Sequence, residues 1–143
     1  MLKQQMRASA YHLKPAEIKK LVIASANFRN RCVIKALYWL GLRRHEVAGL
    51  DVRDIDFDRK RVNIRHGKGG KTRVVPIIDD EFIGDLKHLI GARKEGYVFL
   101  SNESKPLSLR AINYIVEHTG SRAGVANPHP NRKHLNPHLF RHS

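Results

Sequence analysis

A single cysteine, Cys32, stands among the 143 residues, so no internal disulfide can form. Its apolar, helix-like surroundings mark it as a buried hydrophobe in a reducing compartment rather than a reactive thiol. No apolar run approaches the length of a membrane span. The opening MLKQQMRASAYHLK lacks the apolar stretch of a secretory signal, so the chain is expected in the cytoplasm, with no membrane partner. Low-complexity tracts, internal repeats and interdomain linkers are also missing. With 41% hydrophobic residues, residues 1–143 therefore read as one domain able to bury its own core. Acid is the scarcest of the charged classes: 13 Asp and Glu against 27 Lys and Arg, a net charge of +14. A folded domain so basic points to a polyanionic partner.

The distribution of charge sharpens that reading. Arg59 to Ile78 holds seven Lys or Arg and no acid, and His118 to Ser143 holds four Lys or Arg, five His and no acid. One such block fits a generic basic surface; two fit a binding face better.

Hydrophobic periodicity predicts a helix starting at Pro15 with Ile18, Leu21 and Val22 on its stripe, and a second over about 30–40 burying Val33, Ile34, Leu37 and Tyr38. A short helix is expected around His45 to Ala48. The period then changes to two: Val62 and Ile64, then Val75 and Ile77, flank Gly67-Lys68-Gly69-Gly70, the pattern of a β-hairpin with a glycine-rich tip. Asp79 and Ser108 are N-caps of two further helices, the second closed by Gly120, with a short strand over Tyr97 to Leu100 between them. Asn136 and Pro137 open a last helix, which Ser143 cuts within its second turn, so the chain reads as truncated. The fold class expected is α+β: a mainly helical domain with a small antiparallel β-sheet, a hairpin, at one edge.

Three segments carry chemistry. In Gly41-Leu42-Arg43-Arg44-His45-Glu46, Arg43 follows a helix break, and Glu46, one turn on, is placed to hold Arg43 or a neighbouring backbone amide. In the hairpin tip, glycines allow close approach to a phosphate backbone while Lys68, Lys71 and Arg73 supply charge. In Pro137-His138-Leu139-Phe140-Arg141-His142, His138 and Arg141 share a helix face. Arg grips two phosphate oxygens and His moves protons near neutral pH. Each alone is an ordinary polar surface.

Together, in this order, the segments resemble the tyrosine recombinases of the phage integrase family across essentially the whole chain. The resemblance implies that Arg43 and Arg141 clamp the scissile phosphate of double-stranded DNA, that Lys68 protonates the leaving 5′ oxygen and that His138 assists proton transfer. It makes Glu46 the buried acid behind the first arginine. The two acid-free blocks motivate a binding expectation of their own, with Lys71, Arg73, Arg110 and Lys133 as further DNA contacts. Two fixed guanidinium groups can then meet the charge that many nucleases meet with metal ions, so neither metal nor other cofactor is implied. In a full-length parent, other recombinase protomers on DNA would be partners. The family's nucleophilic tyrosine follows the His-x-x-Arg motif, whereas Tyr11, Tyr38, Tyr97 and Tyr114 all precede His138. The chain alone is therefore expected to lack the nucleophile, and the separate N-terminal DNA-clamping domain as well. A truncated recombinase that only binds DNA is the alternative.

Other chemistries fit worse. Gly70-Lys71-Thr72 resembles the end of a nucleotide-binding P-loop, but Arg65 stands at its leading glycine and a strand follows it. Asp54, Asp56 and Asp58 resemble the start of a calcium loop whose sixth and twelfth positions are Arg59 and Arg65, so a solvated strand edge is expected there. His129, His134 and His138 lack cysteine partners for zinc. No aromatic-rich strand offers an RNA-stacking platform.

Overall fold

The computed structural model describes residues 11–65 and 72–141. Helix α1 (Pro15–Ala24) begins with proline at its first position, where the missing N–H costs nothing, and Glu17 accepts a hydrogen bond from the Lys14 amide at 3.0 Å. Helix α2 (Phe28–Trp39) starts two residues earlier than expected because Asn27 caps it, accepting from the Asn30 amide at 2.8 Å. It is the central helix, packing on α1, on α3 (Arg44–Gly49), on α4 (Asp80–Ile90), on α5 (Leu109–Ala123) and on the last turn of the described chain. That explains why Cys32, Val33, Ile34, Ala36 and Leu37 are all buried. Tyr38, expected inside, is half-buried. Lys35 is buried too, and its ammonium pairs with Asp85 of α4.

The sheet has three antiparallel strands in the order β1 (Ile55–Asp56), β2 (Arg61–Arg65), β3 (Thr72–Pro76), the first of which was not anticipated. Val62 pairs with Val75 and Ile64 with Arg73, with Val62 and Ile64 facing the core. The hairpin tip, with Lys68 and Lys71, lies outside the described residues. Asp54 is not the solvated acid expected: it is buried, and accepts from the Arg65 Nε at 2.9 Å and the Asp51 amide at 3.1 Å. The strand expected over Tyr97 to Leu100 reduces to isolated bridges, Asp51 to Tyr97 and Leu100 to Pro106.

Asp79 and Ser108 cap α4 and α5 as expected, accepting from the Phe82 and Ala111 amides. Helix α5 runs past Gly120 and ends at Gly124, whose φ of 68° is the left-handed turn that closes a helix. Gly120 lies instead within α5, where a Cβ would meet Leu135 Cδ1 at 2.7 Å; it is glycine because another segment packs against it. The α-helix expected from Pro137 is, among the described residues, a 3₁₀ turn (Pro137–Phe140), and the Asn136 side chain makes no cap bond. No helix among the described residues is long and apolar enough to cross a membrane.

Candidate active site

The site begins at a glycine. Gly41, with φ of 61°, turns the chain out of α2, and the fully buried Leu42 pins the turn to the core. Arg43 then takes an extended conformation at the N-cap position of α3, with its side chain exposed. Its amide donates to Glu46 Oε1 at 2.8 Å, and the Glu46 amide donates back to the Arg43 carbonyl at 3.0 Å. Of the two options the sequence left for Glu46, the backbone amide is the one realised.

The Glu46 carboxylate, its side chain 1% exposed, also receives the fork of Arg73: Nη2 reaches Oε1 at 2.9 Å and Nη1 reaches Oε2 at 2.5 Å. Burial by itself would raise the carboxyl's pKa, but the hydrogen bonds from Arg73 and the Arg43 amide, with the Arg73 charge, hold it below its ordinary value. Arg73 moves the other way: the bond from Glu46 raises its pKa against the effect of burial.

Arg141 arrives from the far end of the chain. Its Nε donates to the Gly41 carbonyl at 3.2 Å, which fixes the plane of the guanidinium against the Arg43 turn. Burial, then the charges of Arg43 and Arg73, push its pKa down, with Glu46 opposing. Like charges are therefore held close together, an arrangement that favours an anion between them. No ion pair engages Arg43 or Arg141 among the described residues. In the 3₁₀ turn, residues three apart eclipse, so His138 and Arg141 fall on one side while Leu139 and Phe140 are buried.

Arg43, His138 and Arg141 line one cleft of about 570 Å³. Arg44, His45, Asn113, Glu117 and Leu135, to which sequence reasoning gave no role in the site, line it as well. Asn113 and Glu117 are four apart on the polar side of α5, a spacing visible in the sequence but without a signal for which face meets the cleft. Lys133 lines a smaller adjoining cleft of about 210 Å³ that shares Glu117 and Leu135. Arg110 is exposed on the first turn of α5, outside both. Lys68 and Lys71 lie outside the described residues. Among the tyrosines, Tyr11, its ring tilted by 39° against His129 with centroids 4.7 Å apart, lines a third cleft that His138 also lines. Tyr114 and Tyr97 are exposed elsewhere. Among the described residues no three His, Cys, Asp or Glu side chains gather as a metal site, His129, His134 and His138 included.

A helical domain with a hairpin at one edge and this cleft beside it is the fold of tyrosine recombinase catalytic domains. The crystal structure of XerA recombinase aligns with a TM-score of 0.75 at 27% identity, covering 91% of this chain and 47% of that one. A lambda integrase structure (residues 75–356, bound to DNA) shares the fold, with a TM-score of 0.70 at 16% identity, covering 92% of this chain and 48% of that one. The chain belongs to the phage integrase family, whose model matches residues 12–143. Tyrosine recombinase XerA of Pyrococcus horikoshii is 30% identical over 132 residues, covering 89% of this chain and 43% of the relative. Tyrosine recombinase XerC of Pseudomonas entomophila is 35% identical over 119 residues, covering 80% and 37%. The chain thus spans less than half the length of these curated relatives.

Proposed function

We propose that this chain provides the phosphate-clamping part of a site-specific recombinase active site that acts on double-stranded DNA. The observation that carries the reading is the meeting of Arg43, His138 and Arg141 on one cleft. Attack on a phosphodiester builds negative charge on the non-bridging oxygens, and Arg43 and Arg141 are placed to receive it. His138 moves a proton at the phosphate, Lys68 protonates the leaving 5′ oxygen, and Glu46 holds the turn that presents Arg43. Lys71, Arg110 and Lys133 extend the contact along the DNA backbone. In a complete recombinase the reaction proceeds through a 3′-phosphotyrosyl intermediate, in the cytoplasm, with further protomers on the DNA.

None of the four tyrosines serves as the nucleophile in this reading. Electrostatic stabilisation lowers a barrier only when a nucleophile stands in line, so the chain alone binds DNA without attacking it. The test has two arms. Titration with duplex DNA at several salt concentrations should show steep salt dependence, about a thousandfold loss between low and moderate salt for roughly six phosphate contacts. Arg43→Ala or Arg141→Ala should weaken it. A nicked suicide substrate should trap no adduct on this chain. A flat salt response would sink the phosphate clamp; an adduct on Tyr11, or on any of the other three tyrosines, would show that the nucleophile has been misplaced.

A further inference from the structure

Arg73, expected to touch DNA, has a register and a partner that point to a further task. In β3 the side chains of Arg73 and Val75 share one side, half-buried, whereas Thr72, Val74 and Pro76 are exposed. Arg73 also pairs with Ile64, which is 2% exposed, so it stands on the core-facing side of the hairpin. From there its fork closes on both oxygens of Glu46. The carboxylate now holds three donors, two from Arg73 and the amide of Arg43, in a setting that water does not reach. A carboxylate offers about four acceptor positions, and planar guanidinium is the donor that fills them in pairs.

The neighbourhood contains two other guanidinium groups, Arg43 and Arg141, and Glu46 already acts electrostatically on Arg141. A buried carboxylate left without a partner is costly and draws in the nearest cation. We infer that Arg73 is a positioning residue: by occupying both oxygens of Glu46 it keeps that buried carboxylate from capturing Arg141 or Arg43, whose guanidinium groups thereby stay available for phosphate. It also fastens the base of the hairpin to the turn that presents Arg43. Lysine cannot substitute, because one ammonium does not occupy both oxygens in a fixed fork.

The inference rests on the reading that this cleft binds a DNA phosphate, and the experiment separates the two. Duplex DNA binding is measured for the wild-type chain, Arg141→Ala, Arg73→Ala, Arg73→Lys, and the two Arg73 variants combined with Glu46→Gln. Melting curves establish that each is folded. If the wild type binds without salt dependence, or Arg141→Ala binds as well as the wild type, the phosphate reading itself has failed. If that reading holds, Arg73→Ala should lose roughly tenfold or more, the scale of one charged contact. Arg73→Lys, which keeps the charge and is the milder change for folding, should lose affinity as well. Adding Glu46→Gln should restore most of it in both backgrounds, since a neutral amide does not compete with DNA for arginine. Were Arg73 simply a phosphate contact, lysine would preserve binding and Glu46→Gln would not rescue alanine; either result overturns the inference.

Discussion

Gly84 and Gly120 both sit inside helices, and alanine at each should act in opposite directions. Gly84 lies within α4, exposed, with nothing within 4 Å of where a Cβ would stand. Gly84→Ala should therefore stabilise by roughly 0.5–1 kcal/mol, the gain in helix propensity alone. Gly120 lies within α5, where the added Cβ meets Leu135 Cδ1 at 2.7 Å and Cγ at 3.0 Å. Carbon contacts relax at about 3.5–4.0 Å, so Leu135 Cδ1 must retreat by roughly 0.8–1.3 Å and Cγ by roughly 0.5–1 Å. Rotating the Leu135 tip moves Cδ1 but not Cγ, and the residue is only 3% exposed, so the segment must shift as a whole. Overpacking of this kind costs about 1–3 kcal/mol. After the propensity gain, Gly120→Ala should destabilise by about 0–2 kcal/mol. Leu135 lines the cleft just before the turn that carries His138 and Arg141, so DNA affinity should fall too. Urea unfolding of the two variants side by side checks the first claim. In a Leu135→Ala background, itself costing about 2–5 kcal/mol, Gly120→Ala should become stabilising. If Gly120→Ala in the natural background stabilises as much as Gly84→Ala, the close-packing argument is wrong.

Three other outcomes follow from the geometry. Asp85→Ala leaves the Lys35 ammonium, 7% exposed, with only Glu81 at 3.6 Å, and should cost up to about 3–5 kcal/mol, whereas replacing both partners, Lys35→Met with Asp85→Leu, should be nearly neutral; equal losses in urea melts would contradict the buried pair. The depressed Glu46 pKa contributes stability that is complete above the ordinary value of 4.5 and is lost as pH falls through the lower folded value. Acid titrations of stability should therefore fall more steeply for the wild type than for Glu46→Gln, and parallel curves would refute the linkage. Gly41→Ala forces a side chain to φ of 61° in open space, so it should cost about 1–2 kcal/mol through backbone strain and weaken DNA binding by disturbing the carbonyl that Arg141 holds.

Local signals in the sequence reported local structure well. Pro15, Asp79 and Ser108 mark helix starts because proline and capping side chains act on the amides next to them. The alternation of Val62 with Ile64 located the hairpin for the same reason. Gly120 misled because a glycine is chosen either for a left-handed turn or for a close approach, and the sequence does not distinguish Gly124 from Gly120 in that respect. Arg73 was legible in part: counting back by two from Ile77 and Val75 puts it on the inner side of β3. Which acid it meets depended on how β3 stands against α3, a tertiary fact. Asp54 failed similarly, since its partner Arg65 stands eleven residues on, at the end of β2. The cleft itself was reached by motif resemblance, not by periodicity, because no local pattern brings residue 43 to residue 141.

The hydrogen bond from Arg141 to the Gly41 carbonyl spans one hundred residues of chain. A contact that distant is among the last to close when a chain folds, because loop entropy must be overcome before the bond repays it. On a ribosome moving at about 5–20 residues per second, the turn bearing Arg43 is made several seconds before Arg141 exists. A nascent or half-folded molecule thus carries much of the positive charge but not the assembled clamp.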